Sequence, residues 1–521
     1  MIIAIVALVV MLLTTATYYV YGITQVTSIL ILLVIPVIVV LWRKYIRSDE
    51  LSLQAKFVSP TPTDFVATQS VTPLSHFSFP ISVFLLESFL FFTLFTHQTT
   101  DLMPSPWQAV GPWFFFTYAA ATGVLFWIVA HCCRDEALPR LYSVFVLTSL
   151  HLFLTWSITS ILYPLGWGFD AFVHRATESW IATHGYILPK LPYYIGQYSF
   201  VAWLHNITGI SIYWLDVLLV PISASLLLPP TVYYSLRSAF NLPAKVAALS
   251  VWLIPFVPFL SLNLTTPHNV VLLLTIAFVF TLLKSGVTCG DAPNNLPLLL
   301  GAGGGVRYNA GMLALIGLAA MITHPLIGVP LFITSIFAII YQKTKKKKTI
   351  LVALFISVAL AAPALFTLNN LRVGAGWPTF SNPLTNITHF LELFERPYWY
   401  LDHAPLVFEI LYGWERMIVP VVVGLAVLGM FSYVRSNARP KGSAFNASVE
   451  RTPLESCVTP ILLTVSLALF TSGWLLRSWL VFPDVVAYEQ GDFPLRLIKA
   501  SIIFILPFSM YGLYILIEKM K

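Results

Sequence analysis

Long apolar runs recur along the whole chain, and they restrict the fold more than any other feature. Each run is close to the ~20 residues that an α-helix needs to cross a bilayer. Only 10% of the 521 residues are charged, against about 25% in a typical soluble domain. The sequence therefore predicts an all-α, polytopic membrane protein with about 14 transmembrane helices. We place them near 1–22, 23–42, 79–97, 109–131, 141–164, 213–235, 245–262, 269–284, 309–323, 326–341, 349–368, 417–434, 458–480 and 498–517.

Basic residues concentrate in alternate loops of this arrangement. Arg43, Arg435 and the run "KTKKKK" (343–348) all fall on one side. An excess of Lys and Arg marks the cytoplasmic side, so both termini are predicted to be cytoplasmic in a multi-pass protein of the cell membrane. The formal charge of +7 is then a topology signal, and no nucleic acid partner is needed to explain it.

The stretch "GWGFDAFVHRATESWIATHGYILPK" (166–190) gathers ionisable residues just after the predicted 141–164 span, on the outer side. Residues 171–184 have the periodicity of one short helix with an apolar and a polar face. Such a helix is expected to lie in the membrane interface, with its polar face toward a cavity. The apolar face carries Phe172, Val173, Ala176 and Trp180, and the polar face carries Asp170, His174, Thr177 and Glu178, with Arg175 at its edge.

The residue types alone leave two interpretations of this helix open. Asp170 is placed equally well to cap a helix N-terminus and to act as a catalytic carboxylate. His174 alone would more often be structural. Arg175 and Glu178 fit an ion pair to a neighbouring group as well as they fit a substrate contact.

The segment "GFDAFVHRATESWIATHGYILP" resembles the first outer loop of GT-C-type membrane glycosyltransferases, including the oligosaccharyltransferase catalytic subunits. "THPLIG" (323–328) and "GDFPLRLIK" (491–499) are similar to two further elements of such enzymes. The resemblance implies a GT-C-like fold with an interfacial helix in a large outer loop. It also implies two parts: an N-terminal transmembrane hairpin with a cytoplasmic linker (1–78) and a transmembrane catalytic domain (79–521).

By this resemblance, the chain is expected to take a sugar from a polyprenyl-phosphate donor and pass it to an acceptor hydroxyl on the extracytoplasmic face, with inversion. Asp170 is then the general base, and His174 orients it or binds substrate. The leaving phosphate needs fixed positive charge, which Arg496 is best placed to supply. The implied substrate-binding set is Arg175, Glu178, His324, Arg372 and Arg496. The acceptor is a glycan, a lipid or a protein, and membrane lipids surround the site.

No cofactor is implied, and metal-free catalysis is expected because the chain has no D-x-D element. Further acceptor contacts are left unranked: His268, Glu395, Asp402, Glu409, Asp484 and Asp492. A lipid-linked-sugar flippase or transporter is the main alternative, although it would place ionisable residues near the membrane midplane. Acids within the predicted spans are few, with Glu87 the clearest and Asp216 near an outer end. A polysaccharide polymerase and a non-catalytic partner subunit also remain alternatives.

Overall fold

A computed structural model describes residues 2–54, 75–101, 105–132, 138–168, 170–190, 192–257, 260, 262–285, 305–382, 406–437, 458–483, 485 and 487–520. Within these residues the fold is almost entirely helical. The helices are α1 Ile2–Val20, α2 Gln25–Gln54, α3 Ser75–Thr96, α4 Pro112–Cys132, α5 Leu138–Leu162, α6 Asp170–His184, α7 Ile195–Thr208, α8 Ile212–Phe240, α9 Ala244–Ser250, α10 Pro267–Ser285, α11 Gly305–Thr323, α12 Pro325–Lys343, α13 Lys347–Val373, α14 Leu406–Asn437, α15 Thr459–Ser478, α16 Ala487–Ile503 and α17 Leu506–Met520. Short 3-10 turns occupy Pro106–Gln108 and Val251–Leu253.

Nine helices of the described residues are long and apolar enough to cross a membrane: α1, α4, α5, α8, α10, α12, α13, α14 and α15. The pair α16–α17, bent by 50°, makes a tenth if it counts as one span. Four of the predicted spans correspond instead to shorter apolar helices, Gln25–Val40, Pro80–Thr96, Ala244–Leu253 and Ala310–Thr323. The class of multi-pass, all-α membrane protein is therefore confirmed, and the full count of about 14 crossings stays a prediction.

The two clearest departures from the predicted spans lie next to prolines. The described part of the segment 245–262 forms the short α9 and a 3-10 turn, and Pro255 lies two residues after that turn. Proline removes one helical hydrogen bond and so favours a break, although α8 continues through three prolines. In the last predicted span the chain breaks between α16 and α17, and Pro507 is the second residue of α17.

The packing contacts connect α6 to helices from distant parts of the sequence through α7. α6 packs on α7 and α8, while α7 also contacts α1 and α11. α16 packs against α15 and reaches α10 and α12. A two-stranded antiparallel sheet pairs Thr379–Phe380 (β1) with Leu480–Val481 (β2) and ties the end of α13 to the end of α15.

Candidate functional site

The predicted helix is confirmed as α6, Asp170–His184, and its predicted apolar face is exposed. Phe172, Val173 and Trp180 are 46%, 55% and 52% exposed, which is the expected state of a face that meets lipid or the interface. Glu178 on the opposite face is fully buried, and His174 is partly buried. The polar face therefore points into the protein at Glu178 but is exposed at Asp170, and the apolar face points out of the protein.

Arg175 is held by an aspartate of α8. Its Nε atom donates to Oδ2 of Asp216 at 3.3 Å, and Asp216 is 1% exposed. The guanidinium also lies 4.6 Å from the ring centroid of Tyr213, a cation–π distance. The ion-pair interpretation of Arg175 is thus the one that its contacts support, and Asp216 is the partner.

Glu178 is the fully buried residue of the same polar face. Gln197 of α7 donates its amide to Oε1 of Glu178 at 2.8 Å, and Oε2 has no hydrogen-bond partner among the described residues. Burial raises the pKa of Glu178 well above its usual range, and the neighbouring Asp216 carboxylate raises it further. Burial therefore disfavours the ionised form of Glu178, and its hydrogen bond from Gln197 connects α6 to α7.

His174 begins a chain of aromatic contacts that runs away from α6. Its Nδ1 atom shares a hydrogen bond of 2.5 Å with the hydroxyl of Tyr198. Burial lowers the pKa of His174 to about 4, the Asp170 carboxylate opposes this effect, and the nearby Arg496 lowers the pKa further. At neutral pH His174 is therefore an uncharged imidazole, and the two charged groups that act on it are the Asp170 carboxylate and the Arg496 guanidinium.

Tyr194 bridges two of the predicted site residues. Its ring centroid lies 5.7 Å from that of His174 and 5.3 Å from that of His324. The residue immediately precedes α7 and has φ +70, in the left-handed region. A non-glycine residue there is strained by about 1–3 kcal/mol, and such strain concentrates at functional sites.

His324 is fixed by the sharp junction of α11 and α12. It is the single residue between these helices, and its extended backbone (φ -150, ψ 104) is what the following Pro325 requires. Gly328 lets the two helices approach, because a Cβ there would lie 2.1 Å from the carbonyl oxygen of Ala320. The His324 side chain makes no capping hydrogen bond to α12, so the first backbone N–H groups of that helix are not satisfied by its N-cap residue.

A second histidine and a cation complete the cluster. The ring centroids of His268, at the start of α10, and His324 lie 5.4 Å apart. Nδ1 of each ring is buried without a hydrogen-bond partner among the described residues. Arg496 of α16 lies near enough to His174, Tyr194 and both of these histidines to act on them electrostatically. Asp492, one turn earlier, pairs with Arg496 at 2.6 Å.

The remaining predicted site residues make no hydrogen bond to this cluster or lie outside the described residues. Asp170 is exposed at the first turn of α6, and it makes no hydrogen bond or ion pair to another residue that the structure describes. Arg372 lies exposed in the last turn of α13 and donates to Asn369 of the same helix at 3.0 Å, not to the cluster. The unranked candidates Glu395, Asp402 and Asp484 and the side chain of Glu409 fall outside the described part of the chain.

Sequence reasoning missed the partners that organise α6. Asp216, Gln197, Tyr194 and Tyr198 come from other helices or from the segment before α7. A signal was present for two of them, since an acid and an amide inside apolar runs are rarely buried without a partner. The tyrosines carry no such signal, because aromatic residues are common throughout this chain.

Within the described ranges, no group of three or more His, Cys, Asp or Glu side chains is arranged to hold a metal ion. No protein-family model matches the chain, and no curated protein or solved structure matches it either.

Proposed function

We propose that the chain is a GT-C-type membrane glycosyltransferase that moves a sugar from a polyprenyl-phosphate donor to an acceptor hydroxyl on the outer face. One observation carries the proposal: the Tyr194 ring lies 5.7 Å from that of His174 on α6 and 5.3 Å from that of His324 at the α11–α12 junction. Arg496 of the C-terminal helix pair is near enough to influence both histidines electrostatically. Three distant parts of the sequence that resemble GT-C elements thus meet in one cluster. The finer predictions, of about 14 crossings, cytoplasmic termini and a cell-membrane location, belong to this proposal.

The cluster has the chemistry that a leaving phosphate needs. Arg496 supplies positive charge, and the uncapped N-terminus of α12 supplies backbone donors and the positive end of a helix dipole. The buried Nδ1 atoms of His268 and His324 still lack partners among the described residues. Fixed donors in a poorly solvated site stabilise developing negative charge far better than water does.

Asp170 has the properties of the general base. It is exposed, without a hydrogen bond to any described residue, and close enough to His174 to act on its pKa. In the reaction the acceptor oxygen bonds to the anomeric carbon while its proton passes to Asp170. The bond from that carbon to the phosphate oxygen breaks, and polyprenyl phosphate leaves with the electron pair. His174 and Glu178 position α6, and neither needs to carry charge at neutral pH.

The experiment uses membranes that hold the full chain as wild type, Asp170→Asn or Asp101→Asn at matched levels. Each receives radiolabelled polyprenyl-phosphate sugars and a crude acceptor extract. Asp101 is an exposed aspartate after α3, so its variant is the matched control. We expect Asp170→Asn to lower label transfer by about 10²–10⁴-fold, the usual contribution of a general base, and Asp101→Asn to leave it unchanged.

Equal transfer by Asp170→Asn and wild type would reduce Asp170 to a residue of the first helical turn and would overturn its assignment. Absence of transfer by wild type with every donor would favour the transporter alternative. That alternative has one observation of its own, a buried Glu87–His151 pair between apolar helices. Movement of the labelled lipid to the other leaflet, without a labelled product, would support the transporter alternative.

A further inference from the structure

Two neighbouring residues of α7 hold the polar face of α6 at positions one helical turn apart. Gln197 donates to Oε1 of Glu178 at 2.8 Å, and the hydroxyl of Tyr198 lies 2.5 Å from Nδ1 of His174. α7 is itself packed closely against α11, because a Cβ at Gly196 would lie 2.5 Å from a side-chain oxygen of that helix. The ring of His174 is therefore held by a helix other than its own.

The hydrogen bond between Tyr198 and His174 satisfies both groups in one direction only. If the hydroxyl donates to Nδ1, the hydroxyl proton and the ring lone pair each have a partner. If Nδ1–H donated instead, the proton of this buried hydroxyl would need another acceptor, and no other described residue forms a hydrogen bond with it. A buried donor without a partner is unfavourable. Tyr198 is therefore the donor and Nδ1 the acceptor.

Burial keeps both groups of this hydrogen bond uncharged. It raises the pKa of Tyr198 above its usual range, so the phenol keeps the proton that it donates. It lowers the pKa of His174 to about 4, so at neutral pH the ring carries a single proton. Because Nδ1 accepts from Tyr198, that proton is on Nε2.

The Nε2–H group of His174 is then a donor of fixed direction. No described residue accepts a hydrogen bond from it, and His174 is only partly buried. The charged groups near enough to act on the ring are those of Asp170 and Arg496. In the proposed reaction Arg496 serves the phosphate, and the attacking oxygen keeps its lone pair for the anomeric carbon. A hydroxyl of the sugar itself is the acceptor that suits a neutral N–H donor here.

We propose that Tyr198 is a positioning residue of the transfer site: it holds His174 in the tautomer with the proton on Nε2, and this N–H donates to a hydroxyl of the transferred sugar. The role rests on the proposed sugar transfer and adds the part of the substrate that His174 recognises. A donor sugar that lacks this hydroxyl leaves the N–H group without a partner, so the site discriminates against it.

The first test is ¹⁵N-histidine NMR of the full chain in micelles at pH 7, in which the His174 signals are those that His174→Gln removes. We expect wild type to show an unprotonated Nδ1 and a protonated Nε2. Tyr198→Phe should shift the Nδ1 signal, whereas Tyr142→Phe should not, because Tyr142 is 62% exposed and its hydroxyl has no hydrogen bond to a described residue. A protonated Nδ1 in wild type would overturn the proposal, and so would identical His174 signals in wild type and Tyr198→Phe.

The second test measures transfer from the parent donor and from donors that each lack one sugar hydroxyl. For one of these deoxy donors we expect the wild-type kcat/KM to be about tenfold lower than for the parent donor, which is about the contribution of one hydrogen bond. Tyr198→Phe should discriminate between the same two donors much less. Equal discrimination by Tyr198→Phe and wild type would overturn the sugar contact. Absence of transfer by wild type with every donor would instead refute the proposed function, and the NMR measurement would still decide the tautomer.

Discussion

Replacing Arg175 by methionine tests whether α6 is fixed by its ion pair with Asp216. At the 3.3 Å between Nε and Oδ2, and an effective dielectric constant of about 20, two unit charges attract by about 5 kcal/mol. Removing one partner of a buried pair lowers the free energy of unfolding by about 3–5 kcal/mol, because the other charge stays buried. The side chains are 16% and 1% exposed, so screening by water is slight. We expect Arg175→Met to lower the free energy of unfolding by about 3–5 kcal/mol.

The assay is SDS-induced unfolding of the purified full chain in mixed micelles, followed by circular dichroism. The control is Arg372→Met, because Arg372 is exposed and its hydrogen bond is to Asn369 in its own helix. Surface substitutions of this kind change the free energy of unfolding by about 0.5 kcal/mol or less. The control therefore separates the loss of a buried ion pair from the loss of an arginine as such.

The double variant Arg175→Met/Asp216→Leu tests whether Arg175 and Asp216 are energetically coupled. It removes both charges, and exchanging a buried pair for apolar side chains is often neutral or stabilising. Glu178 still has its hydrogen bond from Gln197. We expect the double variant to recover at least half of what Arg175→Met loses. If its loss equals the sum of the two single losses, Arg175 and Asp216 are not coupled and the reasoning is refuted.

Three further predictions concern the cluster and its supports. Arg496→Gln should raise the donor KM, while Asp492→Asn, which removes the paired carboxylate, should lower it; equal effects would contradict a phosphate contact. Gly328→Ala should lower the free energy of unfolding by about 1–3 kcal/mol, whereas Gly123→Ala, where a Cβ meets nothing within 4 Å, should not. Between pH 4 and 6.5 the unfolded chain binds the proton that His174 excludes, so wild-type stability should rise with pH more steeply than that of His174→Gln.

Local pattern was enough to predict some elements and not others. α6 was predictable because its apolar and polar positions repeat at the helical period, and the resulting faces are decided within fifteen residues. The segment 245–262 has the same apolar composition as a span, but helical hydrogen bonds end just before Pro255, whereas α8 continues through three prolines. Hydropathy alone does not carry that information.

The roles of individual side chains depended on contacts between distant parts of the chain. Arg175 and Glu178 had an ion-pair interpretation in the sequence, but nothing near them in the chain identified Asp216 as the partner. Likewise His268 and His324 come from the starts of two different helices, and only the packing of α10, α11 and α12 brings their rings together. Periodicity gives the direction in which a side chain points, whereas its partner depends on tertiary packing.

The one-residue junction at His324 has a consequence for turnover. Because α11 and α12 are joined without a loop and touch at Gly328, we expect these two helices to move as one unit. Arg496 lies instead on the first half of a helix pair that is bent by 50°. Under the proposed sugar transfer, the carrier lipid would leave when α16 moves away from α12. Spin labels on the two helices should show a distance that changes between donor-bound and empty protein, and an unchanged distance would exclude this release route.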